Sequence, residues 1–146
     1  CFRAIEAAVL EELGRDTEEL LTATSRDAGT PVSRHDDAYG FSWIVISDPD
    51  VEDLATTTHV VSQSLEERGF SEQLLCAVFG FDGEPGPVEL VYGYKRGSFY
   101  PFAPRGEPAR DTILERRVQA VLTTEIALEP ELERWYPVWD APVSAD

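Results

Sequence analysis

Leu74-Leu75-Cys76-Ala77-Val78-Phe79-Gly80-Phe81, then Asp82-Gly83-Glu84-Pro85-Gly86-Pro87, then Val88-Glu89-Leu90-Val91-Tyr92-Gly93-Tyr94-Lys95-Arg96, is the stretch that decides the fold. Two apolar runs flank a short segment rich in Gly and Pro. That pattern predicts two strands joined locally, which forces them to pair antiparallel. In the second run Leu90, Tyr92 and Tyr94 share one face, and Glu89, Val91, Gly93 and Lys95 share the other. A Pro- and aromatic-rich segment, Ser98-Phe99-Tyr100-Pro101-Phe102-Ala103-Pro104, follows and is expected to be stiff, non-sheet backbone.

Working outward, Phe41-Ser42-Trp43-Ile44-Val45-Ile46 is aromatic and β-branched with apolar residues on both faces. It is expected to be a central strand. Residues 31–35 are a candidate edge strand, with Asp36-Asp37-Ala38 as the turn between them. Asp48 is a candidate N-cap, with Pro49 at the first position of a helix over 51–68. Val51, Leu54, Ala55, Thr58, Val61 and Leu65 recur there at helical spacing, and Gly69 is the expected stop. Residues 6–21 are good helix formers with an apolar stripe of Ile5, Val9, Leu13, Leu20 and Leu21, broken at Gly14-Arg15-Asp16. Residues 24–30 are a polar connection. Downstream, Pro108 opens a helix with Asp111 in its first turn and Leu114, Val118, Val121 and Leu122 facing the core. The tail carries Trp135, Tyr136 and Trp139. Helices grouped on an antiparallel sheet indicate an α+β fold rather than a doubly wound one.

The chain has 146 residues, 42% of them hydrophobic, which fits one α+β domain over 1–146. No initiator Met is present, and a missing native N-terminal segment is expected. Two cysteines, Cys1 and Cys76, are too few for a disulfide framework. No apolar run reaches membrane-spanning length, so no direct membrane insertion is expected.

Acidic residues number 28 and basic ones 12, for a net charge of −16, and Lys95 is the only lysine. Such a balance suits a cytoplasmic protein of concentrated salt or an acidic binder of cationic partners, and the dispersal of the acids along the chain favours the first. At about 1 M salt the Debye length falls to about 3 Å, and self-repulsion is screened. The same charge disfavours nucleic-acid binding, since phosphate needs a basic surface.

Catalytic and metal chemistry finds little to use. His35 and His59 have no partner ligands at metal-binding spacing, and neither H-x-x-x-H nor C-x-x-C occurs. Cys76 sits in an apolar strand, where a thiol is inert. Asp48, Asp50, Glu52 and Asp53 suit a helix start. The glycines of 80–86 join strand to strand, so they form no phosphate loop. No cofactor is expected. A hydrolase using Asp36 and Asp37 would need two carboxylates with divergent proton affinities in a cleft. A small-molecule sensor would need a pocket lined by Trp43, Tyr92, Tyr94 and Phe99. The candidate partner-binding residues are Tyr94, Lys95, Arg96, Phe99, Tyr100 and Phe102, extended by Trp135 and Trp139. There aromatics would supply apolar anchors, and Lys95 with Arg96 would attract an acidic partner. The alternative is a strand end whose aromatics cover the core, with the Trp135 and Trp139 segment packed back on the sheet.

The element order resembles, by analogy, the small α+β fold of type III secretion chaperones and YbjN-like proteins, which hold other proteins. More specifically, the chain resembles the PspA-associated PspAB family of phage-shock systems in actinobacteria and haloarchaea. The resemblance is carried by Asp37-Ala38-Tyr39-Gly40-Phe41-Ser42-Trp43, by Leu65-Glu66-Glu67-Arg68-Gly69-Phe70 with Leu74-Leu75-Cys76, and by Val91 to Pro104. Arg110-Asp111 and Glu129 to Trp139 complete it. It implies a non-enzymatic adaptor or chaperone-like protein of the envelope stress response. The implied partners are PspA or a neighbouring membrane protease of the HtpX type. The implied location is cytoplasmic, reaching the membrane through the partner. It also agrees with a haloarchaeal source. It supplies no catalytic residue.

Overall fold

The computed structural model describes residues 1–2, 32–47, 49–84, 86–139 and 141–142. The helix expected over 6–21, the connection over 24–30 and Asp48 itself lie outside them. The chain divides into two compact units, residues 1–75 and 76–146. Both contain antiparallel strands and a helix, so the fold is α+β.

In the first unit, β1 (Val32–Asp36) pairs antiparallel with β2 (Ser42–Ile46), with His35 opposite Trp43. Among the described residues β2 is flanked on both edges, by β1 on one side and by Phe2, which bridges Ser42, on the other. Its apolar composition reflects what covers its faces: Trp43 is buried and Ile44 to Ile46 are half-buried. Phe2 and Ser42 exchange two backbone hydrogen bonds of 2.8 Å each, and Phe2 also bridges Leu74.

α1 (Val51–Glu67) follows and packs on β2. Its cap is Asp50 rather than Asp48, because the Asp50 carboxylate accepts from the Glu52 amide at 2.8 Å and the Asp53 amide at 3.4 Å. Pro49 therefore precedes the cap. Thr57, Val61, Ser62 and Leu65 form the buried face. Val51 and Ala55, expected on it, are exposed, since the true stripe is turned toward Thr57 and Ser62. Gly69 ends the helix with φ +87°, a conformation that costs glycine nothing.

In the second unit, β3 (Cys76–Phe81), β4 (Val88–Gly93) and β5 (Ser98–Phe102) form an antiparallel sheet in the order β3-β4-β5. The expected hairpin is present, with Val78 opposite Val91. β5 corrects the expectation that residues 98–104 are non-sheet backbone. Strand parity explains how Pro101 is tolerated. The Phe99 amide donates outward to the Ala127 carbonyl at 2.9 Å, and the Phe99 carbonyl accepts from the Glu129 amide at 2.8 Å. Position 101, two residues on, presents its nitrogen to that same outer side, where β4 needs no donor.

α2 (Thr112–Leu122) then packs against β5. It begins after Asp111, whose carboxylate accepts from the Leu114 amide at 2.9 Å, so Pro108 lies in the preceding loop rather than at the helix start. Leu114 is buried and Val118 and Leu122 are half-buried, but Val121, expected in the core, is 72% exposed. A single 3-10 turn (Leu132–Arg134) leads into Trp135.

Candidate functional site

The aromatic-basic run is divided by the two-residue period of β5. Tyr100 and Phe102 point to one face of the sheet and Phe99 to the other. On the first face, Val91, Tyr100, Phe102 and Trp135 form the core of the unit, with Cys76, Val78, Val138 and Trp139 packed against it. Tyr100 stacks on Trp135 at 6.4 Å, and Phe102 meets Trp139 edge-on at 5.0 Å. The Tyr100 hydroxyl donates to the Tyr136 carbonyl at 2.8 Å, and the Trp135 indole donates to the Glu129 carbonyl at 3.0 Å. Tyr100, Phe102 and Trp135 are therefore spent on docking the tail to the sheet, and buried rings offer no anchor to another molecule. Trp139 is half-buried in the same cluster.

The second face carries a separate aromatic group. Tyr92 contacts Tyr94 edge-on at 5.1 Å and Phe99 at 4.8 Å, all three half-buried. Beside them, residues 94–97 make the β4–β5 turn, closed by the Gly97 amide donating to the Gly93 carbonyl at 2.8 Å. Gly97 has φ +66°, where a side chain is disfavoured. Lys95 and Arg96 sit at the tip, exposed, and no described residue pairs with either. Of the candidate residues, the structure thus brings Tyr94, Lys95, Arg96 and Phe99 to one edge, and takes the other four into the core. Trp43, proposed with Tyr92, Tyr94 and Phe99 as a pocket lining, belongs to the first unit.

The buried charges escaped sequence reading. Arg110 donates from Nε to both Glu115 oxygens, at 3.1 and 2.9 Å, and from Nη1 to the Trp135 carbonyl at 2.8 Å. Its guanidinium lies over the Phe102 ring at 4.9 Å. Glu115, 3% exposed, also accepts from the Ala103 amide at 3.0 Å. This pair joins α2, the end of β5 and the tail. An Arg five residues before a Glu near a helix start was the available signal, and it resembles ordinary surface pairing. Glu89 lies on the core face of β4, where burial, with the nearby Cys76 adding to it, pushes its carboxyl up to about 8. Glu89 is therefore largely protonated at neutral pH.

Asp37, one of the two acids weighed for hydrolysis, is a turn-former. Its Oδ1 accepts from the Tyr39 and Phe41 amides at 2.8 and 3.0 Å, and its Oδ2 from the Trp43 indole at 2.8 Å. Slight burial opposes ionisation, but these donors prevail and hold the carboxyl below its ordinary value. Asp36 accepts from the Ser42 hydroxyl at 2.6 Å. Among the described residues no group of three or more His, Cys, Asp or Glu is arranged to hold a metal ion. Nor is any described helix long and apolar enough to cross a membrane.

The model of the family described as PspA associated protein B matches residues 1–143. The chain belongs to the PspA associated protein B family. This membership ties it to PspA and the phage-shock stress response. Several stretches that carry the resemblance now have physical content: Asp37 to Trp43 is the self-bonded turn, 94–97 is the basic hairpin tip, and Arg110 with 129–139 is the docked tail. No curated protein and no solved structure matches the chain.

Proposed function

We propose that the chain is a non-enzymatic adaptor or chaperone-like protein that binds PspA through the β4–β5 turn and the aromatics beside it. The observation that carries this reading is the pair of exposed cations, Lys95 and Arg96, without described partners in a chain of net charge −16. At contact distance, which salt screens least, most of such a surface sets carboxylates against an acidic partner, and a cationic tip gives that partner one place to pair. Tyr94 and Phe99 add apolar area at the same edge. In this reading the protein acts in the cytoplasm, in concentrated salt, and reaches the membrane only through its partner. The carboxylates with altered proton affinity serve the fold: Asp37 shapes a turn and Glu89 is held neutral in the core.

The test is co-elution with PspA of the same organism in about 3 M KCl and in dilute buffer, with an HtpX-type protease tried in parallel as the other candidate partner. Tryptophan fluorescence and circular dichroism confirm the fold in each. A stoichiometric complex with PspA supports the reading. The double substitution K95E/R96E, measured at the lowest salt that preserves the fold, should weaken the complex about tenfold. A folded protein that never co-elutes with PspA would overturn the adaptor reading. Unchanged affinity in the double variant would remove the turn from it.

A further inference from the structure

α2 is inverted in part: it leaves two large aliphatics outward while it buries a carboxylate. Leu114 and Glu115 are buried on its inward face, with Val118 and Leu122 half-buried beside them. Its outward face exposes Ile113 at 71% and Val121 at 72%, two turns apart on one ridge, with Arg117 between them and Arg116 and Ala120 alongside. A helix with a free outer surface ordinarily keeps its large aliphatics inward. The charge is inverted as well. Glu115 is the helix's only acid and it is buried, so the exposed part of α2 carries two arginines and no carboxylate. Arg116 and Arg117 make no ion pair with any described residue. In a chain with 28 acids and 12 bases, a helix face with none of the former stands apart.

We propose that the outward face of α2 is a docking surface for an amphipathic helix of another protein, one whose apolar stripe is flanked by Asp and Glu. Ile113 and Val121 are spaced to take the partner's apolar ridge, and Arg116 and Arg117 meet its flanking carboxylates. The charge also decides against a second copy of this chain. A two-fold contact through this face would set Arg116 and Arg117 of one protomer against the same residues of the other. The apolar area, two aliphatic side chains and one alanine, suits a helix ridge better than a lipid surface, which rewards a broad apolar face. The surface is distinct from the 94–97 turn, so this inference stands apart from the adaptor reading.

The probe is a synthetic peptide of about 20 residues, long enough to hold a helix. It has Leu at i, i+3, i+4 and i+7, Glu on the flanks, and Ala and Gln elsewhere; its twin has Lys for Glu. Binding to the full chain is read by fluorescence anisotropy, at salt that keeps the chain folded. The Glu peptide should bind saturably and the Lys twin at least about tenfold more weakly. I113Q/V121Q and R116E/R117E should each cost the Glu peptide about tenfold, and R116E/R117E should improve the Lys twin. All four positions are exposed, so these variants should fold, which circular dichroism verifies. K95E/R96E should leave the peptide within about twofold. No saturable binding, equal binding of both peptides, or variants that bind like the parent would overturn the proposal. So would phosphatidylglycerol vesicles, or a self-associated dimer seen by sedimentation, being the only species lost in the two double variants. If PspA fails to co-elute while the Glu peptide binds as expected, the adaptor reading falls and this one stands.

Discussion

Arg110 and Arg116 lie six residues apart and carry the same group, yet they face opposite demands. Arg110 is enclosed by Glu115, the Trp135 carbonyl and the Phe102 ring. Arg116, with Arg117, is exposed and unpaired among the described residues. In a chain so poor in cations, these two stand for different uses of the same group. One is internal, where a planar, permanently charged fork can satisfy several acceptors at once. The other is external, at the helix face and at the 94–97 turn. The contrast teaches that basic residues in an acidic protein are informative only after burial is known, since spacing alone does not separate the two uses.

The contrast breaks first at Arg110. Arg110→Ala should destabilise the second unit by about 3–5 kcal/mol, because it leaves Glu115 buried without its counter-charge and releases the Trp135 carbonyl. Urea unfolding followed by tryptophan fluorescence checks this. Arg116→Ala, by comparison, should change stability by less than about 0.5 kcal/mol. Similar losses at the two positions would mean that the buried pair does not hold the tail.

Glu89 sharpens the comparison from the acidic side, as a carboxyl that the core keeps uncharged. Its folded value of about 8 stands above its ordinary 4.5, so the folded state holds the proton more tightly than the unfolded chain. Stability from this group is full below pH 4.5 and is lost as pH rises through 8. Each unit of separation is worth about 1.4 kcal/mol, so Glu89→Gln should gain on the parent by about 3 kcal/mol between pH 5 and pH 8. Parallel stability profiles across that range would show that Glu89 is solvated and ionised.

Much of the sheet was legible. The 76–81 and 88–93 strands follow from β-branched and aromatic runs around a Gly-Pro turn, a local signal that needs no tertiary knowledge. β5 was hidden by Pro101, because proline argues against a strand unless its nitrogen faces away from the pairing neighbour, which only the register reveals. In β2 the apolar composition tracks what covers the strand, with Trp43 buried and Ile44 to Ile46 half-buried. At the candidate site the exposed pair Lys95 and Arg96 was readable as a basic island. The burial of Tyr100, Phe102 and Trp135 was one of the two readings those aromatics allowed, and the choice between them depends on a tail returning across some thirty residues of chain.

Asp37 offers a smaller effect within the first unit. Asp37→Ala removes three acceptor contacts from the 36–42 turn and leaves the indole of buried Trp43 without its partner. A loss of about 1–3 kcal/mol is expected, with a change in Trp43 fluorescence. Because the folded carboxyl sits below its ordinary value, its contribution is present above that ordinary value and fades as pH falls through the folded one. The alanine variant should therefore lose some of the parent's acid-induced weakening. An unaltered acid limb would mean that the turn does not depend on the carboxylate.

A smaller effect again, and one of backbone alone, belongs to the 94–97 turn. An added Cβ at Gly97 would meet only the Tyr92 hydroxyl, at 3.8 Å, which is ordinary contact. The cost of Gly97→Ala is then purely that of holding alanine at φ +66°, about 1–2 kcal/mol. Gly97→Asn, which tolerates that region better, should cost less than alanine does. Ordering of the three residues as Gly, Asn, Ala in stability would show that backbone conformation, rather than packing, sets the tip that presents Lys95 and Arg96. If PspA binding follows the same order, the tip must keep its shape to be recognised. If binding is constant across the series while stability falls, the two cations act by charge alone, and their long flexible side chains make the turn's geometry irrelevant to the partner.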